Sequence, residues 1–137
     1  MTRPRIRPGH EADIVALLEV ERRAAALLLG HGAHDLFAMH SLSRDDLLQG
    51  IRSGILRVAE VDGLAVGFAL CGEVDGHAHL FEMDVVPEFG RRGIGSALLE
   101  AVCDEAVARG YAAMTLTTLR NVSWNAPFYA GRGFSEL

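Results

Sequence analysis

This 137-residue sequence predicts a mixed α+β fold in which a mostly antiparallel twisted sheet is flanked by about four helices. Three observations carry that expectation. Two Asp-Gly pairs, Asp62-Gly63 and Asp75-Gly76, separate apolar, β-prone runs, which is the sequence signal of consecutive hairpins. An apolar stripe at helical spacing starts at Ile94 and is followed by the strand-like MTLTT, Met114 to Thr118. A second helical stripe occupies the first thirty residues, ahead of all the hairpin signals.

Taken in order, Arg3 to Arg7 alternates weakly and suits an edge strand. From His10, the residues Ile14, Leu17, Leu18, Glu21, Ala25 and Leu28 follow helical spacing, so a helix is expected to end near Gly30. The irregular GHGAHDLFAMHS leads to a second helix, Arg44 to Arg52, with Ser43 as its N-cap and Asp45 and Asp46 favourable in its first turn. Ile55 to Val61, Leu64 to Val74 and His77 to Val86 then form a three-strand meander, closed by Pro87. In the next helix Ile94, Ala97, Leu98, Ala101, Val102 and Cys103 share a face, Glu100, Asp104 and Arg109 point away, and Gly110 supplies the stop. A short helix around Ala126 to Ala130 and a strand beginning at Gly133-Phe134 follow.

Composition excludes several function classes. A net charge of −5 offers no basic field for nucleic acid. All 13 basic residues are arginine, which rules out a Schiff-base enzyme and a lysine-dependent phosphate loop. Cys71 and Cys103 lie in apolar segments without CxxC spacing and read as small hydrophobes. No apolar run reaches 18 residues and the start has no signal-like core, so a cytoplasmic setting without membrane contact is expected. His31, His34, Asp35, Phe37 and His40 fall in one loop, but their spacing matches no ordinary metal site and none is expected.

The chemistry is concentrated in GRRGIGSALL, Gly90 to Leu99. Glycines at a helix mouth let a ligand approach free backbone N–H groups, and Arg91 and Arg92 add charge, a combination suited to phosphate. Gly93 and Gly95 equally permit close helix–sheet packing. A dinucleotide fingerprint would need glycine where Leu98 stands.

Joined to the preceding VVPEF and to WNAPFYAGRGF, Trp124 to Phe134, this stretch resembles the GNAT superfamily of acetyl-coenzyme A-dependent N-acetyltransferases. The resemblance extends from about Arg5 to the end of the chain, and the order of elements is the family's order. One departure is Gly90, where the family usually carries Gln or Arg.

The resemblance implies a set of roles. The strand before the turn would open at a bulge, with Met83, Asp84 and Val85 lining the pantetheine arm and the Val85 N–H polarising the thioester carbonyl. Arg91, Arg92, Gly93, Ile94, Gly95 and Ser96 would wrap the pyrophosphate. Asn125 would be a further cofactor contact or else an N-cap. Tyr129 would protonate the leaving sulfur, its alternative being packing with Phe128 and Phe134. Glu82 is the first candidate for the base that deprotonates the amine, with His79 and Asp84 behind it. Strand alternation sets Glu82 and His79 on opposite faces unless a bulge changes the parity. Asp35 suits a cationic amine and Trp124 suits stacking on an acceptor.

The expected reaction is acetyl transfer to a primary amine of a small molecule or peptide. The rival reading is an inactive acyl-coenzyme A-binding sensor or partner module. A single domain spanning 1–137 is expected. The family continues past the Gly-Phe pair with one or two strands that Ser135-Glu136-Leu137 does not supply, so a cut chain and a homodimer are further expectations.

Overall fold

The computed structural model describes residues 3–26, 42–90 and 93–116. The chain starts with β1 (Arg5–Pro8), a 3-10 turn (Glu11–Asp13) and α1 (Ile14–Ala25). Then come α2 (Arg44–Arg52), β2 (Ile55–Val61), β3 (Leu64–Val74) and β4 (His77–Val85). A 3-10 turn (Pro87–Phe89) leads to α3 (Ile94–Ala108) and β5 (Met114–Leu116). The strands form one sheet in the order β1-β2-β3-β4-β5, antiparallel except for the parallel β4–β5 pair. The expected end of the first helix near Gly30, the remainder of MTLTT and the elements from Ala126 onward lie outside the described residues.

Local chemistry explains the boundaries. Asp62 and Gly63 have φ of 52° and 80°, and Asp75 and Gly76 have 53° and 80°. Two consecutive left-handed residues are what a tight hairpin following the strands' twist requires. At α2, Ser43 Oγ accepts the Asp46 N–H at 3.1 Å while Asp46 Oδ2 accepts the Ser43 N–H at 2.9 Å, a complete capping box. At the end of α3, the Gly110 N–H reaches Val107 O and the Tyr111 N–H reaches Ala106 O, with Gly110 at φ +90°. That paired closure ends the helix where the sequence placed the stop.

The sheet separates two apolar layers. α1 buries Ile14, Leu17 and Val20, and α2 buries Leu47, against the face that carries Val58, Phe68 and Leu70. α3 buries Ile94, Leu98, Leu99, Val102 and Ala106 on the opposite face, over β2, β3 and β4. Among the described residues no helix is long and apolar enough to cross a membrane.

Candidate active site

The site begins with an irregularity in β4. Leu70 of β3 stands opposite Glu82, but its neighbour Cys71 stands opposite Leu80, so Phe81 is an extra residue, a β-bulge. The Phe81 ring lies over Gly72, where a Cβ would meet it at 2.7 Å. The bulge reverses strand parity. Asp84 pairs with Phe68, Glu82 with Leu70 and His79 with Gly72, and these three β3 positions share the face covered by α1. Glu82 and His79 are therefore on one face: the bulge implied for this strand is present and changes the parity of simple alternation. They are separated by about 10 Å of strand. His79 is engaged elsewhere: Nδ1 lies 2.7 Å from Thr115 Oγ1 and the ring meets Phe81 edge-on. Burial pulls the His79 pKa below its ordinary value.

The face under α1 gathers acids. Glu21, on α1, occupies the position of the apolar stripe one repeat after Ile14 and is only 7% exposed. Its Oε2 accepts the Leu42 N–H at 2.7 Å. Burial raises the Glu21 pKa against that hydrogen bond, and the charges of Glu82 and Asp46 add to the rise. Asp84 is 8% exposed. Burial, then a side-chain hydrogen bond with Glu82 and that neighbour's charge, then the charge of Glu21 hold its carboxyl well above the usual carboxylate range. Glu82 Oε2 and Asp84 Oδ2 are buried without a hydrogen-bond partner among the described residues. Glu21 was missed as a functional candidate; the available signal was a carboxylate on the apolar stripe of a helix.

The other part of the site is backbone. The Val86 N–H donates to Val66 O at 2.9 Å. By the alternation of an antiparallel ladder the Asp84 amide also faces β3, whereas the amides of Met83 and Val85 face away from it. β5 pairs with Ala78 to Leu80, and no described strand pairs with β4 at Met83 and Val85. The Met83 and Val85 side chains share the α3 face, where a Cβ on the neighbouring Gly67 would meet Val85 Cγ2 at 3.2 Å and Leu98 Cδ1 at 3.3 Å. Beyond Val86 the 3-10 turn closes, with the Phe89 N–H on Val86 O and the Gly90 N–H on Pro87 O. Gly93, which has no side chain to offer as a cap, begins α3 with φ +79°, a conformation that favours glycine. The first turn, Ile94, Gly95 and Ser96, precedes the helical bond from the Ala97 N–H to Gly93 O. An ion pair from Arg23 on α1 to Glu88 fastens this turn to the acidic face. Arg91, Arg92, Asn125, Tyr129, Trp124 and the loop with His31, His34, Asp35, Phe37 and His40 lie outside the described residues. Among the described residues no group of acids, histidines and cysteines is arranged to hold a metal.

The Acetyltransferase (GNAT) family profile matches residues 21–134. The ribosomal protein bS18-alanine N-acetyltransferase of Escherichia coli is 35% identical over 75 residues, 55% of this chain and 51% of that protein. The enzyme of the same name from Salmonella typhimurium is 35% identical over 88 residues, 64% of this chain and 59% of that one. The chain thus spans about half the length of the curated relatives it matches. Among solved structures, the Escherichia coli ribosomal-protein-S18-alanine N-acetyltransferase superposes with TM-score 0.77 at 27% identity, covering 98% of this chain and 79% of that one. The PaiA N-acetyltransferase of Thermoplasma acidophilum, in complex with coenzyme A, shares the fold with TM-score 0.86 at 23% identity, covering 97% and 90%. Fold, element order and the family match over 21–134 agree, and the chain belongs to the GNAT acetyltransferase family.

Proposed function

We propose that this chain is a single-domain N-acetyltransferase that moves the acetyl group of acetyl-coenzyme A to a primary amine of a small molecule or peptide. The observation that carries this reading is the pair of outward-facing amides of Met83 and Val85 on β4, which no described strand pairs, a few residues before the helix mouth opened by Gly93, in a chain of the GNAT family. An acyl-pantetheine arm can pair with such an edge as an added strand, and a pyrophosphate suits the first-turn amides of α3. In this reading the Val85 N–H faces the thioester carbonyl and stabilises the oxyanion. Arg91, Arg92 and the backbone from Gly93 to Ser96 hold the pyrophosphate, and Asn125 contacts the arm.

The chemistry is one displacement in two steps. A neutral amine nitrogen attacks the thioester carbon, and the tetrahedral oxyanion collapses with rupture of the C–S bond. Glu82 takes the proton that the nitrogen loses, and Tyr129 gives its phenolic proton to the departing thiolate. Amine acceptors are named for similar proteins: a ribosomal protein's alanine for one and an aminoglycoside for another. We place the reaction in the cytoplasm, where the free thiols of Cys71 and Cys103 stay reduced, and expect a homodimer.

Calorimetric titration tests the reading directly. Acetyl-coenzyme A should bind the wild type, a coenzyme lacking its phosphates should bind at least tenfold more weakly, and Gly95→Trp should abolish binding. Failure of the wild type to bind acetyl-coenzyme A would refute the proposal. With an acceptor in hand, Tyr129→Phe should lower kcat by about 10²-fold or more with little change in KM for acetyl-coenzyme A.

A further inference from the structure

Two consecutive arginines in the last turn of α1 behave differently. Arg22 is exposed and pairs within its own helix, with Glu19 one turn back at 2.5 Å. Arg23 is half-buried and leaves the helix to pair with Glu88, 65 positions along the chain in the 3-10 turn Pro87–Phe89. The backbone it leaves from is well held. Glu21, two residues earlier, is buried, and its Oε2 accepts the Leu42 N–H at 2.7 Å, which pins this turn of α1 to the entry of α2. α1 also packs on β3 and β4. Arg23 thus projects from fixed backbone, so forming its pair costs less conformational freedom than it would from a fraying helix end.

Glu88 is an acid placed against the chemistry proposed above. It stands five residues before Gly93, so the chain keeps its backbone within about 18 Å of the mouth of α3. Over that distance two negative charges still repel in dilute salt, where the screening length is roughly 30 Å at 0.01 M against about 10 Å at 0.1 M. A pyrophosphate settling on the first-turn amides of α3 brings its charge toward this carboxylate. The described part of the turn, Pro87 to Gly90, has no basic residue of its own to offset it. The countercharge comes from α1 instead, as a guanidinium that remains protonated under all working conditions.

We propose that Arg23 is a positioning residue for the coenzyme: it neutralises Glu88 from across the fold, so that the phosphates reach the glycine turn without meeting an uncompensated carboxylate. This deepens the transferase reading and rests on it. Arg23 acts through Glu88 and needs no contact with the ligand. Its effect belongs to the charged end of the coenzyme, not to the acyl arm, which that reading places further back on β4. The helix that holds the entry of α2 through Glu21 thereby also supplies the countercharge at the coenzyme's turn.

The test is calorimetric titration of the full chain with acetyl-coenzyme A at about 20 mM and about 500 mM salt. In low salt Arg23→Gln should weaken binding about fivefold, while Arg23→Lys, which keeps the charge, should stay within about twofold of the wild type. Glu88→Gln should bind at least as tightly as the wild type, and the double variant Arg23→Gln/Glu88→Gln should recover the wild-type affinity. The defect of Arg23→Gln should fade in high salt. A purely structural tie predicts another pattern: Glu88→Gln weakens binding as much as Arg23→Gln, the double variant stays weak, and salt leaves the defect unchanged. That pattern would overturn the proposal, and so would an unchanged affinity in Arg23→Gln. Should Arg23→Gln not fold, Glu88→Gln and the double variant decide on the same terms. The wild type separates the two levels: its failure to bind acetyl-coenzyme A removes the transferase reading, whereas binding that is indifferent to Arg23 removes this inference alone.

Discussion

Asp84 shows how one residue changes meaning between sequence and structure. In the string FEMDVV it is a polar residue on a strand; in the fold it is a buried acid whose pKa is pushed up by burial and by two neighbouring carboxylates. Because its folded pKa is above its unfolded value, near 3.8, Asp84 lowers stability progressively as pH rises above about 4. Thermal melts from pH 3 to 7 should therefore show the advantage of Asp84→Asn growing with pH. Gly67 is tied to the same place, since a Cβ there would come 2.9 Å from the Asp84 carbonyl oxygen as well as against Leu98. Gly67→Ala should cost about 1–3 kcal/mol in denaturant melts by pushing β4 and α3 apart. It should also weaken coenzyme A binding, because Asp84 lies between the two residues with outward amides.

Among the elements, the junction of β1 and α1 is held by a forked ion pair. Arg7 Nη1 and Nη2 donate to the two Asp13 oxygens at 2.9 Å each, and Asp13 Oδ2 also accepts the His10 N–H. Arg7 Nε reaches Glu60 Oε2 on β2 at 3.2 Å, so one guanidinium joins strand, helix start and neighbouring strand. Hydrogen bonding from Arg7 holds the Asp13 carboxyl below its ordinary value of 3.8, opposite in sign to Asp84. Asp13 thus adds stability above about pH 4 that is lost as pH falls through its lowered folded pKa. Asp13→Asn should destabilise the protein by about 1–2 kcal/mol at pH 7, with the penalty shrinking as pH falls below about 4, read from melts across that range. At α2, Ser43→Ala removes one half of a capping box and should cost about 1 kcal/mol, read from the denaturant midpoint at unchanged slope.

At the scale of the whole molecule, the sheet works as a partition. α1 and α2 close one face around the acids, α3 closes the other, and the proposed site lies where β4 leaves β3 for the glycine turn. Arg23 to Glu88 crosses from α1 to that turn, and Arg57 to Glu105 joins β2 to α3 at 3.2 Å, so both helical layers are fastened to the sheet. In the proposed reaction, the acidic net charge of −5 would favour a cationic acceptor. For a cationic amine, kcat/KM should therefore fall as salt rises from 50 to 500 mM, by a few-fold beyond any change seen with a neutral amine.

Much of this was legible in the residues. Asp-Gly pairs named both hairpins because their φ requirement is local, and Ser43 named its helix because a cap involves residues three apart. The glycine turn and its helix were equally readable, since Gly93 at φ +79° and Gly110 at φ +90° answer to backbone sterics alone. Free thiols pushed up by burial, Cys71 to about 12, fit cysteines read as small hydrophobes. The acidic face was half legible: Glu82 was named as a candidate, and the bulge that the resemblance implied for its strand lies at Phe81, which sets Glu82 and His79 on one face. Glu21 and Asp84 are 63 residues apart in the numbering and meet only because α1 crosses β4. The sequence by itself determined the element order, the turns, the caps and the family, because those depend on short-range geometry and motif. Only the tertiary structure decided which carboxylates share one desolvated space, because desolvation and mutual charge are set by what packs above a residue, not by what precedes it in the chain.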